Sequence, residues 1–242
     1  MFQQQGYVVG ADIGGTSLRL ALAGMDGKIL GKWTVSTAGI RDPHKVVSLI
    51  QEGVDDLLQQ NSVPRSLLRA VAAGAPGVTN VDEGVVIATS YLMGWRDVPF
   101  RALLEAKLGV PVAVDNDVNV AAIAESKIGA ARGVKDFVFV ALGTGIGAGI
   151  VLNGQIFHGM NWSAGEIGYL LVPGTPVTPV ETGELTALGH RKSKQIGVGN
   201  LTRGQDLGWI DEIRCDETKV VLPEHMACQG CQPRNDRCNR RR

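Results

Sequence analysis

No apolar run in the 242 residues approaches the roughly 20 that a membrane-spanning helix needs. A membrane is therefore not an expected partner. Formal net charge is zero, so neither nucleic acid nor an anionic surface is expected to be drawn to the chain. Cysteine is missing from everything before Cys215; Cys215, Cys228, Cys231 and Cys238 all follow it closely. Met1-Phe2-Gln3-Gln4-Gln5 lacks the basic start and apolar core of a secretory leader. Together these absences lead us to expect a reducing, cytoplasmic location with free thiols rather than disulfides. Neither glycine-rich turn described below is followed by Gly-Lys-Ser/Thr, which excludes a Walker A loop. No helix follows the alternating Gly143, Gly145, Gly147 and Gly149, which excludes a Rossmann loop. What is present is ordinary: 44% hydrophobic and 20% charged residues, the composition of a globular chain long enough to bury a core.

The charge is uneven along the chain. Up to His190 there are 13 basic against 17 acidic residues, and after it 11 against 7. Tyr7 to Ile13 reads as an apolar strand, broken by Gly14-Gly15-Thr16. Ser17 to Ala23 resumes with Leu18, Leu20 and Leu22 alternating. Asp26-Gly27 marks a hairpin turn into a third strand, Ile29 to Val35. Asp42-Pro43 supplies a helix cap and first-position proline, and the helix is expected to bury Val46, Val47, Ile50, Val54, Leu57 and Leu58. Arg69 to Ala75 reads as a strand ending in Gly74-Ala75-Pro76-Gly77. Asp97 and Pro99 predict the start of another helix, stopped by Gly109. Phe137 to Leu142, Gly143-Thr144-Gly145, Ile146 to Leu152, Asn153-Gly154 and Gln155 to His158 repeat the strand, turn, strand, turn, strand order of the first forty residues. A repeat on this scale predicts two similar α/β halves facing a cleft, and its hairpins argue against a purely parallel sheet.

Between the halves lies Val112 to Glu125. Val112 to Val114 read as a buried strand, and Val118, Ala121, Ala122 and Ile123 as the packed face of a helix. Asp115, Asn116 and Asp117 occupy the junction. One such residue would cap the helix; three in a row suggest a polar site for a hydroxylated ligand, with Asp117 as candidate base. The two Gly-Thr turns are the phosphate candidates, because glycine backbone presents N–H groups with no Cβ in the way. Asp12, just before the first, is placed to hold Mg²⁺, which prefers one or two carboxylates plus phosphate oxygens.

Asp12-Ile-Gly-Gly-Thr16, Gly74-Ala-Pro-Gly77, Asp115-Asn-Asp-Val-Asn119 with Ala121-Ala122 and Glu125, Gly143-Thr-Gly-Ile-Gly147 and Ala164-Gly-Glu-Ile-Gly168 together resemble the ROK family. That family holds sugar kinases and sugar-responsive repressors on an actin-like, ribonuclease-H-like two-domain fold, and the resemblance is greatest to its bacterial glucokinases. It implies ATP- and Mg²⁺-dependent phosphorylation of a hexose, glucose first, at a hydroxyl. Asp117 falls on the family's base. Asn116, Glu166, Gly77 and Tyr169 fall on the sugar side. Asp12, Gly14, Gly15, Thr16, Gly143, Thr144 and Gly145 fall on the phosphate and metal loops. The implied partners are a sugar and ATP, with a homodimer as one assembly open to the chain.

The chain also departs from that pattern. Tyr169 stands where the family usually has a histidine that shares a zinc with three nearby cysteines. No cysteine lies between Tyr169 and Cys215, so no zinc is expected. Tyr91-Leu92 before Trp95 replaces the family's Asn-Leu sugar contact. After roughly Leu188 the apolar periodicity fades, and Gln229 to Arg242 is polar and basic. The expected organisation is a first ribonuclease-H-like domain over 1–115, a partial second one over 116–190, and a divergent, weakly packed tail over 191–242. In that tail, Leu207 to Leu222 is the one stretch able to form an element against the second domain. A chain of this kind is expected to bind ATP poorly for want of an adenosine pocket. Two functions remain open at this point: a glucokinase-like sugar kinase, and a non-catalytic sugar-binding or regulatory relative.

Overall fold

The structure is a computed structural model that describes residues 6–89, 92, 94–142, 146–169, 210–215 and 218–223, the last two stretches as backbone. Three strands open the chain: β1 (Tyr7–Ile13), β2 (Ser17–Gly24) and β3 (Ile29–Ser36). They pair as two successive antiparallel hairpins, and Gly27, at φ +81°, takes the left-handed turn position that Asp26-Gly27 predicts. Helix α1 (Pro43–Gln60) follows. The Asp42 carboxylate accepts the His44 N–H at 2.9 Å as its N-cap. All six apolar residues predicted for its inner face are buried, against Leu18, Leu20 and Leu22 of the sheet.

Strand β4 (Leu68–Ala75) then runs parallel to β1. A small antiparallel sheet of β5 (Val78–Asn80), β6 (Val85–Ala88) and β7 (Arg96–Val98) follows it. The helix expected from Asp97 begins instead at Phe100 (α2, Phe100–Leu108), with Pro99 as its N-cap residue. Arg96–Val98 are drawn into extended pairing with β6, and Asp97 sits at φ 50°. The Trp95 ring is buried against Phe100 and donates its N–H to the Arg41 carbonyl at 2.8 Å, which fixes that corner. Gly109 ends α2 in the left-handed conformation, as its position predicts. Strand β8 (Val112–Asn116) runs parallel to β4.

The main sheet has the order β3-β2-β1-β4-β8, with β2 as its one antiparallel strand. This is the ribonuclease-H-like arrangement. Helices α1 and α2 pack together, α1 over β2 and β3, α2 against β8. Helix α3 (Asp117–Ile128) touches β4 and β8 on one side and the second half's β9 (Phe137–Leu142) and β10 (Ile146–Leu152) on the other.

Strands β9, β10 and β11 (Gln155–Ile156) repeat the β1-β2-β3 meander. The third strand ends at Ile156 rather than His158. Asn153 and Gly154 both have positive φ, 53° and 77°, as an Asn-Gly hairpin turn requires. From here the halves diverge. The other edge of β1 is covered by parallel β4. The other edge of β9 is covered antiparallel by β13 (Thr218–Pro223), itself paired with β12 (Ile210–Cys215). This hairpin covers most of the expected Leu207–Leu222 stretch and ends one residue past it, at Pro223; the rest of the tail lies outside the described residues. Among the described residues every strand pair of the second half is antiparallel, whereas the first half includes two parallel pairs. No helix among the described residues is long and apolar enough to cross a membrane.

Candidate functional site

Register brings the polar ends of three strands side by side. Asp12 on β1 pairs with Gly74 on β4, and Gly74 with Asp115 on β8. These are the carboxyl ends of parallel strands, where open α/β sheets take their ligands. Gly74 belongs there for a steric reason. A Cβ on it would stand 3.2 Å from the Cα of Asp117, so a side chain would push the start of α3 away.

The three junction residues divide their labour. Asn116 is the N-cap of α3: its Oδ1 accepts the N–H groups of Val118 at 2.8 Å and Asn119 at 3.1 Å. Its Nδ2 donates to the Gly77 carbonyl at 2.9 Å. Asn116 therefore holds the Gly74–Gly77 loop against α3, and what it retains for a ligand is one amide hydrogen. Asp115 is also committed. Its Oδ1 accepts the Asn116 N–H at 2.7 Å and the Asn119 amide at 3.0 Å, and its Oδ2 meets His158 Nε2 at 2.9 Å. Asp117 is engaged by backbone N–H groups, that of Val118 at 2.9 Å among them. Removing the cap should show in stability: Asn116→Ala is expected to cost about 1 kcal/mol for the cap, and more for the unpaired Gly77 carbonyl. Urea unfolding with an unchanged midpoint would refute the assignment.

The Asp117 carboxyl is pushed up to about 6. Burial is the main cause. The Val118 N–H, donating to Oδ1 at 2.9 Å, pulls the other way, and the charges of Asp12 and Glu166 push further up. Burial raises Glu166 as well. Glu166 sits on the turn Ala164–Gly168, which is pressed onto β10. The Gly165 carbonyl accepts the Ala148 N–H at 2.7 Å, and a Cβ on Gly165 would fall 1.8 Å from the Ala148 oxygen. Asp12 is raised by partial desolvation and drawn back by Arg19, 3.9 Å away. More than half of the Asp12 side chain is exposed, so water screens both influences. Asp117 thus has two further carboxyl groups within electrostatic reach. Such a place can take a hydroxyl proton near neutral pH and welcomes donor groups or a cation.

The Gly14–Thr16 turn has its carbonyls tied down on one side. Gly14 O accepts the Thr37 hydroxyl at 2.9 Å, and Thr16 O accepts the Thr37 N–H at 3.1 Å. Thr37 is buried, and Gly15 and Thr16 are exposed. Among the described residues no group of three or more His, Cys, Asp or Glu could cage a metal. Gly143, Thr144, Gly145 and Tyr91 lie outside the described residues, and Tyr169 ends a short 3-10 turn (Ile167–Tyr169) as backbone.

Two features went unread in the sequence, and the packing role of a third, a glycine alternation, was not read. Thr37 carries no motif and is recognisable only by its contacts. His158 could have been flagged as the one histidine in the repeat's second meander. The Gly147-x-Gly149 alternation gives α3 room against β10: Cβ atoms there would stand 3.1 Å from Val118 Cγ2 and 2.5 Å from Ala122 Cβ. The packed face of α3 is correspondingly Val118, Asn119, Ala121 and Ala122. Ile123, expected inside, is exposed because the contact with β10 turns it outward; Asn119 is inside because Asp115 satisfies it.

The chain is similar to known proteins in both sequence and fold. The profile of the family described as "ROK family" matches residues 8–191. The glucokinase of Halalkalibacterium halodurans is 39% identical over 166 residues, covering 69% of this chain and 50% of that protein. The xylose repressor of Caldicellulosiruptor bescii is 26% identical over 168 residues, covering 69% and 42%. The ROK family glucokinase from Streptomyces griseus, solved in complex with glucose and AMPPNP, superposes with a TM-score of 0.61 at 31% identity, covering 69% of this chain and 51% of that one. The chain spans about half the length of the curated relatives it matches.

Proposed function

The chain belongs to the ROK family, and from that premise we propose that it phosphorylates a hexose, glucose first, on a hydroxyl with ATP as donor and Asp117 as base. The observation that carries the reading is the placement of Asp117 at the first turn of α3, half-buried, raised to about 6, and within electrostatic reach of Asp12 and Glu166. Phosphoryl transfer asks little covalent help of a protein and much positioning. In this reading Glu166 and the remaining amide hydrogen of Asn116 hold sugar hydroxyls, and Gly77 borders them. The hydroxyl oxygen attacks the γ-phosphorus, its proton passes to Asp117, and ADP leaves. The Gly14-Gly15-Thr16 turn cradles phosphate through backbone N–H groups, with Gly143-Thr144-Gly145 as its proposed counterpart. Tyr169 is proposed on the sugar side.

The residues present fit Mg²⁺ carried on the nucleotide rather than held in a cage. Asp12 offers one exposed carboxylate beside a turn without side-chain bulk. Bound there, Mg²⁺ would neutralise phosphate charge. Similarity to the xylose repressor keeps a second reading, sugar binding without turnover. ADP release in the presence of glucose and ATP is the deciding measurement. The expected profile falls as pH drops below about 6, because Asp117 accepts a proton only when ionised. Glucose binding by calorimetry with no ADP formed would install the second reading.

A further inference from the structure

A side-chain hydrogen bond joins the strand–helix junction to the second half. His158 Nε2 lies 2.9 Å from Asp115 Oδ2, with both side chains largely shielded. Asp115 is not free to swing, because its other oxygen is fixed by the Asn116 N–H and the Asn119 amide. His158 is tied at its other end: its carbonyl accepts the Ala164 N–H at 3.1 Å, at the first residue of the turn that carries Glu166. Its neighbour Phe157 is held to β10 through the Ile150 carbonyl at 2.7 Å. The Glu166 turn therefore has two anchors. Gly165 on Ala148 fixes it to β10, and His158 links it to the residue two before Asp117.

We propose that Asp115 and His158 form a clasp that sets where Glu166 stands relative to Asp117, which makes His158 a positioning residue for the sugar acting through Glu166. This rests on the reading of the cleft as a sugar site. The geometry fits the task. Asp117 starts a helix packed on both halves, whereas Glu166 belongs to a loop of the second half. The Asp115–His158 bond adds a side-chain link between these supports to the packing of α3 on β10. A misplacement of about 1 Å can cost about 10²-fold in rate.

Glucose affinity in the full chain tests it by calorimetry on the wild type, His158→Ala, His158→Gln, Glu166→Gln and the His158→Ala/Glu166→Gln pair. A lost hydrogen bond to a charged group corresponds to a weakening of about tenfold or more, expected for His158→Ala. His158→Gln, whose amide can donate to Asp115, is expected to recover most of it. The double variant is expected to bind no more weakly than Glu166→Gln alone, because the histidine acts through the glutamate. Additive losses, or full affinity in His158→Ala, would overturn the proposal. Amide exchange gives a reading that does not need sugar. Exchange across 163–167 is expected to accelerate about tenfold in His158→Ala, with α1 unchanged. Unaltered exchange there would break the clasp. A wild type that binds no glucose would instead remove the sugar reading, and the exchange result would then decide the clasp alone.

Discussion

Asp117→Asn is expected to lower turnover with glucose and ATP by about 10²–10⁴-fold, the usual cost of losing a general base, while sugar binding is retained. The substitution is nearly isosteric. The new Oδ1 can still accept the Val118 N–H that Asp117 takes at 2.9 Å, so α3 keeps its first turn. What disappears is the ability to take a proton. Turnover unchanged within error would remove Asp117 from the chemistry.

The same variant carries a stability signature of predictable sign. In the unfolded chain the group titrates near its ordinary 3.8; in the fold it is pushed up to about 6. Folding therefore favours the protonated form. Ionisation destabilises the native state, with no effect below the ordinary value and the full effect above about 6. Asparagine has no such titration. Asp117→Asn should accordingly be the more stable protein at pH 8, and its advantage should fade as pH falls through that window. A site that gains stability when its acid is removed is holding that acid for function. Urea midpoints for the two proteins that stay parallel from pH 4 to 8 would mean that the cleft does not perturb Asp117.

What the sequence disclosed follows from how local each signal is. The Asp42-Pro43 cap, the Asp26-Gly27 and Asn153-Gly154 turns and the inner face of α1 depend on a few adjacent residues, and each stands where the pattern put it. The strand–helix junction was legible for the same reason. The division of labour within it was not. Whether Asn116 or Asp115 faces a ligand depends on Gly77 and His158, 39 and 43 residues away, and spacing alone cannot supply such partners. The start of α2 was misplaced because pairing with β6 overrode a local cap-like signal at Asp97. Ile123 was assigned to the core by its apolarity, whereas the face α3 buries is chosen by where β10 lacks side chains. The roles proposed for Gly143, Thr144, Gly145 and Tyr169 rest on the motifs.

The close approach of α3 to β10 yields the second large effect. Gly149→Ala is expected to destabilise the protein by about 1–3 kcal/mol, the cost of overpacking a close contact, and to depress turnover together with stability. An added Cβ would stand 2.5 Å from the Cβ of Ala122 and 3.1 Å from the Val118 carbonyl oxygen. Neither neighbour is the far end of a flexible side chain, so α3 itself must move off β10. Asp117 is the first residue of that helix and would move with it. Gly10 supplies the contrast. It also lies within a strand, but a Cβ there meets nothing within 4 Å, so Gly10→Ala should be neutral or stabilising by up to about 1 kcal/mol. The cause can be isolated by making room on the other side. Ala122→Gly alone costs helix propensity, about 1 kcal/mol, yet added to Gly149→Ala it removes the overlapping atom. The double variant should therefore be more stable than the sum of the two single losses predicts, and should regain turnover. Strict additivity of the two substitutions in urea unfolding would show that β10 does not set the seat of α3, and the link between the glycine strand and the position of Asp117 would fall with it.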